Sequence, residues 1–193
     1  MATPVSDSVL LPPVNGGNGT LTDEFINGLV QGGSWQLSGA RVLTYSLNIN
    51  DATDVNGDPI LVGGNHVPGP GGTWGTSPAM ASAVGQALTA WSNVANITFQ
   101  QQPVVPGQFY FQSTADLAFT LTGDDLQSGG VLGLAFFPDP EFADTFLAEI
   151  GTTRQTYPYP KPEGDVFLDN YDTRFNLLLP GGTGLTTILH EIG

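Results

Sequence analysis

His190 and Glu191 are the residues of this chain best suited to chemistry by type and place. They stand in Thr187-Ile188-Leu189-His190-Glu191-Ile192-Gly193, which spells the first four letters of H-E-x-x-H. A helix turns once every ~3.6 residues, so two imidazoles at i and i+4 rise on one face and meet at one metal ion. A Glu beside the first His is placed to take a proton from a metal-bound water. The fifth letter would fall at residue 194, past the last residue of the sequence. The same four letters on an ordinary amphipathic helix make a solvated His–Glu pair, and the tetrapeptide alone does not separate the two readings.

The flanking residues predict the helix that would present this pair. Leu185, Ile188, Leu189 and Ile192 fall at i, i+3, i+4 and i+7, one apolar stripe. Gly181, Gly182 and Gly184 mark a loop before it, with Thr183 as the expected cap. Asp165-Val166-Phe167-Leu168-Asp169 reads as the strand that precedes it. Ser77-Pro78 opens an earlier helix, Ser as N-cap and Pro at the first helical position. Met80, Val84, Ala87, Leu88 and Trp91 trace its buried stripe. Strands are expected over Val42–Leu47, Asn96–Gln100, Phe109–Gln112, Ala115–Thr122 and Val131–Phe137. Residues 1–20 read as a mobile lead-in to a domain over 21–193. Thr22-Asp23-Glu24 opens a short helix with Phe25, Ile26, Leu29 and Val30 on its apolar face, and Trp35 follows at a helix–sheet junction. Residues 138–163, with Tyr157 and Tyr159, read as one long Pro-containing loop.

Other polar clusters are weaker. Asp54, Asn56 and Asp58 have the spacing that opens an EF-hand loop. Pro59 stands where that loop needs Gly, however, and Asn65 where it needs Glu, so a turn on Asn56-Gly57 is the better reading. His66 lies in a Gly/Pro loop, where a lone His is more often exposed than a ligand. Asp116 interrupts a strand at a position where solvent or a metal would receive it, and Asp124-Asp125 lie in a loop. The chain has no Gly-rich phosphate loop and no G-x-S-x-G elbow.

Composition narrows the partners. The 193 residues carry 18 acids against 4 bases, a net charge of -14. Arg41, Arg154, Lys161 and Arg174 form no cluster, which argues against nucleic acid and against acidic lipid. The acid excess suits either plain solubility or export into a calcium-containing medium. With no Cys, neither disulfides nor thiolate metal sites are available. Only 11% of residues are charged and 40% are hydrophobic, which fits a loop-rich folded domain rather than a disordered chain. Met1–Asp7 has no basic n-region and no apolar run, and no stretch has the ~18 apolar residues of a membrane span. A cytosolic protein and one exported without an N-terminal signal both look like this.

Taken in order, several stretches resemble the catalytic domain of the serralysin-type metalloproteases, bacterial metzincins usually joined to an RTX calcium-binding repeat domain. The most specific is Ala87-Leu88-Thr89-Ala90-Trp91-Ser92-Asn93-Val94-Ala95-Asn96-Ile97-Thr98-Phe99. Leu43–Ser46, Ala115–Phe119, Gly133–Pro138 and Gly164–Leu168 are similar to that family's successive strands, and Thr187–Gly193 to the start of its H-E-x-x-H-x-x-G-x-x-H helix. The resemblance covers residues 21–193 and implies an α+β, zincin-like upper subdomain. Its sheet would be twisted, mostly parallel and five-stranded, with an antiparallel edge strand, packed against two long helices. It implies a zinc endopeptidase with His190 as a Zn²⁺ ligand and Glu191 as general base. A polypeptide substrate would lie along Gly133, Leu134, Ala135 and Phe136. It further implies secretion without an N-terminal signal peptide and Ca²⁺ in a C-terminal repeat domain. The remaining His ligands and the lower subdomain would lie beyond residue 193, so the sequence reads as an inactive fragment of a longer enzyme. The rival reading is a non-catalytic secreted binding or structural domain of the same fold.

Overall fold

A computed structural model of the chain describes residues 3–5, 34–37, 40–47, 74, 77–103, 113–122, 132–136, 138–149, 163–169 and 177–193. The strands are β1 (Thr3–Val5), β2 (Ser34–Gln36), β3 (Val42–Leu47), β4 (Thr98–Gln101), β5 (Leu117–Thr122), β6 (Gly133–Ala135) and β7 (Asp165–Asp169). The helices are α1 (Pro78–Ala95), α2 (Pro140–Glu149) and α3 (Thr183–Ile192). β1, within the expected lead-in, pairs antiparallel with β2. The other five strands make one mixed sheet in the order β4-β3-β5-β7-β6. β3 is parallel to β4 and β5, β5 is parallel to β7, and only β6 runs antiparallel, at the edge. This is an α+β arrangement.

β7 lies between β5 and β6, and every residue of it is buried. Its sequence is accordingly apolar between its two terminal acids, as a strand covered on both faces must be. Val166 and Leu168 join Leu117, Phe119 and Leu121 of β5 in the main cluster. Phe167 lies outside that cluster and meets Phe136 edge-on, with ring centroids 6.2 Å apart. α1 brings Met80, Ala83, Val84, Ala87 and Leu88 to the cluster, and α3 brings Leu185 and Ile188. The helical stripes read from spacing are therefore core stripes, with Trp91 half-buried at the end of the first.

Ser77 is the N-cap of α1, but its side chain makes no capping bond; its carbonyl accepts from Met80 and Ala81. Two expectations are corrected at helix starts. Gly182, not Thr183, caps α3, and Thr183 is already helical. Residues 140–149, read as part of a loop, form α2. Asp139 accepts the Glu141 N–H at 2.9 Å, Pro140 stands at the first helical position, and Glu141 puts an acid in the first turn. Asp-Pro-Glu is thus a start signal as clear as Ser77-Pro78.

Asp116 is corrected too. It does not face solvent: it is fully buried, and its Oδ2 accepts from the Thr44 N–H at 2.8 Å and the Thr44 hydroxyl at 2.7 Å. The Thr44 Oγ1 accepts the Asp116 N–H at 2.9 Å in return. This reciprocal link ties β3 to the entry of β5. Close by, Gly164 has φ +82°, and a Cβ there would run into the Asp116 carbonyl oxygen and the Trp35 ring. Trp35 accordingly lies in β2, half-buried and packed against the core. The expected strand over 109–112, the helix after Thr22, the turn at Asn56-Gly57, His66, Asp124-Asp125, Tyr157 and Tyr159 lie outside the described residues. Among the described residues no helix is long and apolar enough to cross a membrane.

Candidate active site

α3 has two faces. Leu185 and Ile188 go inward, while Thr183, Thr186, Thr187, His190 and Glu191 recur at helical spacing on the other side. The turn before the helix sets its direction. Gly181 has φ +83°, the Gly182 N–H donates to the Leu179 carbonyl at 2.8 Å, and the Leu177 carbonyl takes the Gly184 N–H at 3.1 Å. Backbone donors that helix starts leave without partners are met here by a carbonyl instead of a side chain. Farther along, the Thr186 and Thr187 hydroxyls donate to the carbonyls of Gly182 and Thr183 at 2.9 and 3.0 Å.

Between this face and β6 runs an open groove of about 570 Å³. Leu132 and Gly133 line one side, with Gly181, Thr183, Thr186, Thr187, His190 and Glu191 on the other. His190 is exposed there and Glu191 half-buried. Helix and edge strand are in close contact at Gly133. A Cβ at that position would stand 2.8 Å from the Glu191 Cγ and 3.0 Å from the Thr187 Cγ2, so only glycine leaves room for both. The Ala135 N–H donates to the Glu191 carboxylate. Burial raises the Glu191 carboxyl above its ordinary value, against the opposing pull of the His190 charge and the Ala135 N–H.

The structure therefore brings His190, Glu191, Gly133 and Ala135 to one place. Leu134 is half-buried and pairs with Phe167 of β7. The Phe136 backbone also turns to the sheet: its N–H donates to the Asp165 carbonyl and its carbonyl accepts from Gly164, both at 2.9 Å. Phe136 itself is buried. By strand alternation the outward backbone groups of β6 belong to Gly133 and Ala135. Thr186, Thr187 and Leu132 were not placed at the site by the sequence reading, and Thr183 was expected only as a helix cap. Counting back from His190 by three, four and seven residues finds Thr187, Thr186 and Thr183. Nothing in the sequence spacing links Glu191 to Ala135.

A His and a Glu on one wall of an open groove present one imidazole and one carboxyl to its interior. Among the described residues no group of three or more His, Cys, Asp or Glu could hold a metal ion. Comparison with known protein families finds no matching family model, and comparison with curated proteins finds no match.

Proposed function

We propose that this chain carries the first part of a zinc endopeptidase site of the serralysin-like metzincin type, with His190 as one metal ligand and Glu191 as general base. The observation that carries the reading is that His190 and Glu191 lie side by side on the groove wall, with Glu191 held by the edge strand. The mixed sheet with its antiparallel edge is the scaffold that such a site would use.

The donor set fits zinc in part. His190 presents its imidazole to the groove, and the reading requires two further His ligands from outside the described residues. Zinc, when bound, lowers the pKa of a coordinated water to ~7 and polarises a carbonyl oxygen. Glu191 is half-buried, and burial raises its carboxyl above the ordinary value, which makes it a stronger base to take a proton and return it to a leaving amine. With the Ala135 N–H held by Glu191, the outward backbone of Gly133 and the Ala135 carbonyl offer an extended peptide a short ladder beside the helix. A secreted enzyme carrying a calcium-binding repeat domain belongs to the same proposal.

The test uses a chain extended through the full motif. His190→Ala should lose zinc and peptide hydrolysis together. Glu191→Gln should keep zinc and lose ~10²–10⁴ in turnover, the range of a general base. Near-normal turnover in Glu191→Gln would rule the catalytic assignment out. The alternative reading is a non-catalytic binding domain of the same fold. That alternative predicts that neither substitution changes metal content or rate.

A further inference from the structure

We propose that β6 is the positioning device for Glu191, with Gly133 as a side-chain-free cradle for its Cγ and the Ala135 N–H as the anchor for its carboxylate. The proposal rests on Glu191 being the base in the reading above, and it assigns the edge strand a role besides receiving a peptide.

Three observations carry it. First, the contact at Gly133 involves the Glu191 Cγ at 2.8 Å and Cδ at 3.1 Å from a notional Cβ, so the stem of the side chain, not its mobile tip, lies on the strand. Second, the carboxylate reaches along β6 to the Ala135 N–H, two residues on. Strand alternation makes these the two positions whose backbone faces away from β7. Third, β6 is itself fixed. The Asp169 N–H donates to the Leu132 carbonyl at 2.9 Å, and Phe136 is bonded to Asp165 and Gly164, so both ends of the strand are pinned to the fully buried β7. A long side chain on a helix samples several rotamers, and ordering it costs entropy. Here a cradle and a hydrogen bond on a rigid strand select one. Gly133 and Ala135 are positioning residues in this sense: they act on the reacting proton through Glu191.

The experiment is amide hydrogen exchange with nitrogen-15 NMR on the full chain, without metal or substrate. In the wild type the Ala135 amide should be protected although it faces outward from an edge strand. Glu191→Ala should speed its exchange about tenfold or more, with the Leu134 and Phe136 amides unchanged. Glu191→Gln, which still offers an acceptor oxygen, should restore most of the protection. Gly133→Ala should displace Glu191 and reproduce the loss at Ala135, and adding it to Glu191→Ala should change Ala135 no further. If Gly133→Ala loosens the whole strand, Leu134 and Phe136 will exchange faster as well, and the two Glu191 variants decide the matter. Equal Ala135 exchange in wild type and Glu191→Ala overturns the proposal. Because no arm needs zinc or turnover, the outcome is independent of the protease test. A protected Ala135 beside an active Glu191→Gln enzyme would retain the contact and remove its catalytic meaning.

Discussion

The indole N–H of Trp91 donates to the carbonyl oxygen of Leu189 at 3.1 Å, the residue immediately before His190. α1 and α3 are thus joined by a polar bond as well as by packing, and the indole lies where a side chain on Gly193 would overlap it. Trp91→Phe keeps an aromatic ring there and removes the donor. It should cost about 0.5–1.5 kcal/mol, the net worth of one hydrogen bond, in a urea titration. No change in the midpoint would show that water replaces the indole at that carbonyl.

Glu191 gives the fold a pH dependence of definite sign. Its carboxyl is raised from the ordinary 4.5, so between that value and the folded one the native state binds more proton than the unfolded chain. The associated stability is fully present below the unfolded value and is lost as pH rises through the folded value. Glu191→Gln is neutral throughout and still offers an oxygen to the Ala135 N–H. Its denaturation midpoint should match the wild type near pH 4 and exceed it at pH 7. A gap of equal size at both pH values would contradict the assignment.

The Thr44–Asp116 link should be costly to break. Thr44→Val keeps the branched shape that suits a strand. It removes the donor to the Asp116 Oδ2 and the acceptor of the Asp116 N–H. With Asp116 fully buried, about 1–3 kcal/mol should be lost. The check is a lower denaturant midpoint at unchanged slope, which marks a loss of stability without a change of structure.

Leu88 and Val94 lie on one helix and should respond to truncation by very different amounts. Leu88 is 3% exposed in the main cluster, and Leu88→Ala should cost about 2–5 kcal/mol. Val94 is 78% exposed, and Val94→Ala should stay within about 0.5 kcal/mol of the wild type. Thermal melts of the two variants check both.

The sequence made the elements with strong periodicity readable. Val42–Leu47 and Asp165–Asp169 are strands at the predicted bounds, and the Ser77-Pro78 start and the Leu185/Ile188 stripe hold. α2 escaped because prolines were read as loop markers, although Asp139-Pro140-Glu141 is a cap, a first helical residue and a first-turn acid in order. Asp116 was misjudged for a different reason: its partner is a threonine far away in sequence, and no local pattern reports a bond between parallel strands. The site divides along the same line. His190 and Glu191 are visible because a helix puts chemistry at fixed spacing. The contact of Glu191 with Gly133 and Ala135 depends on how a helix settles on a sheet edge, which only the tertiary structure fixes.

The order of the sheet also bears on how fast the chain can fold. Val42 pairs with Thr98, Tyr45 with Leu117, Ala118 with Asp165, and even the antiparallel partners Gly133 and Leu168 are joined by no short turn. Each of these ladders must close a long loop before its first hydrogen bond forms, and loop closure is an entropic loss that comes before any gain. α1 needs only neighbours in the chain, so it can form in about a microsecond or less. The sheet must wait for distant segments to meet. Refolding should therefore run in milliseconds to seconds, typical of folds built on distant contacts. Until β7 inserts between β5 and β6, its apolar run stays uncovered, and in that interval the chain is most exposed to aggregation.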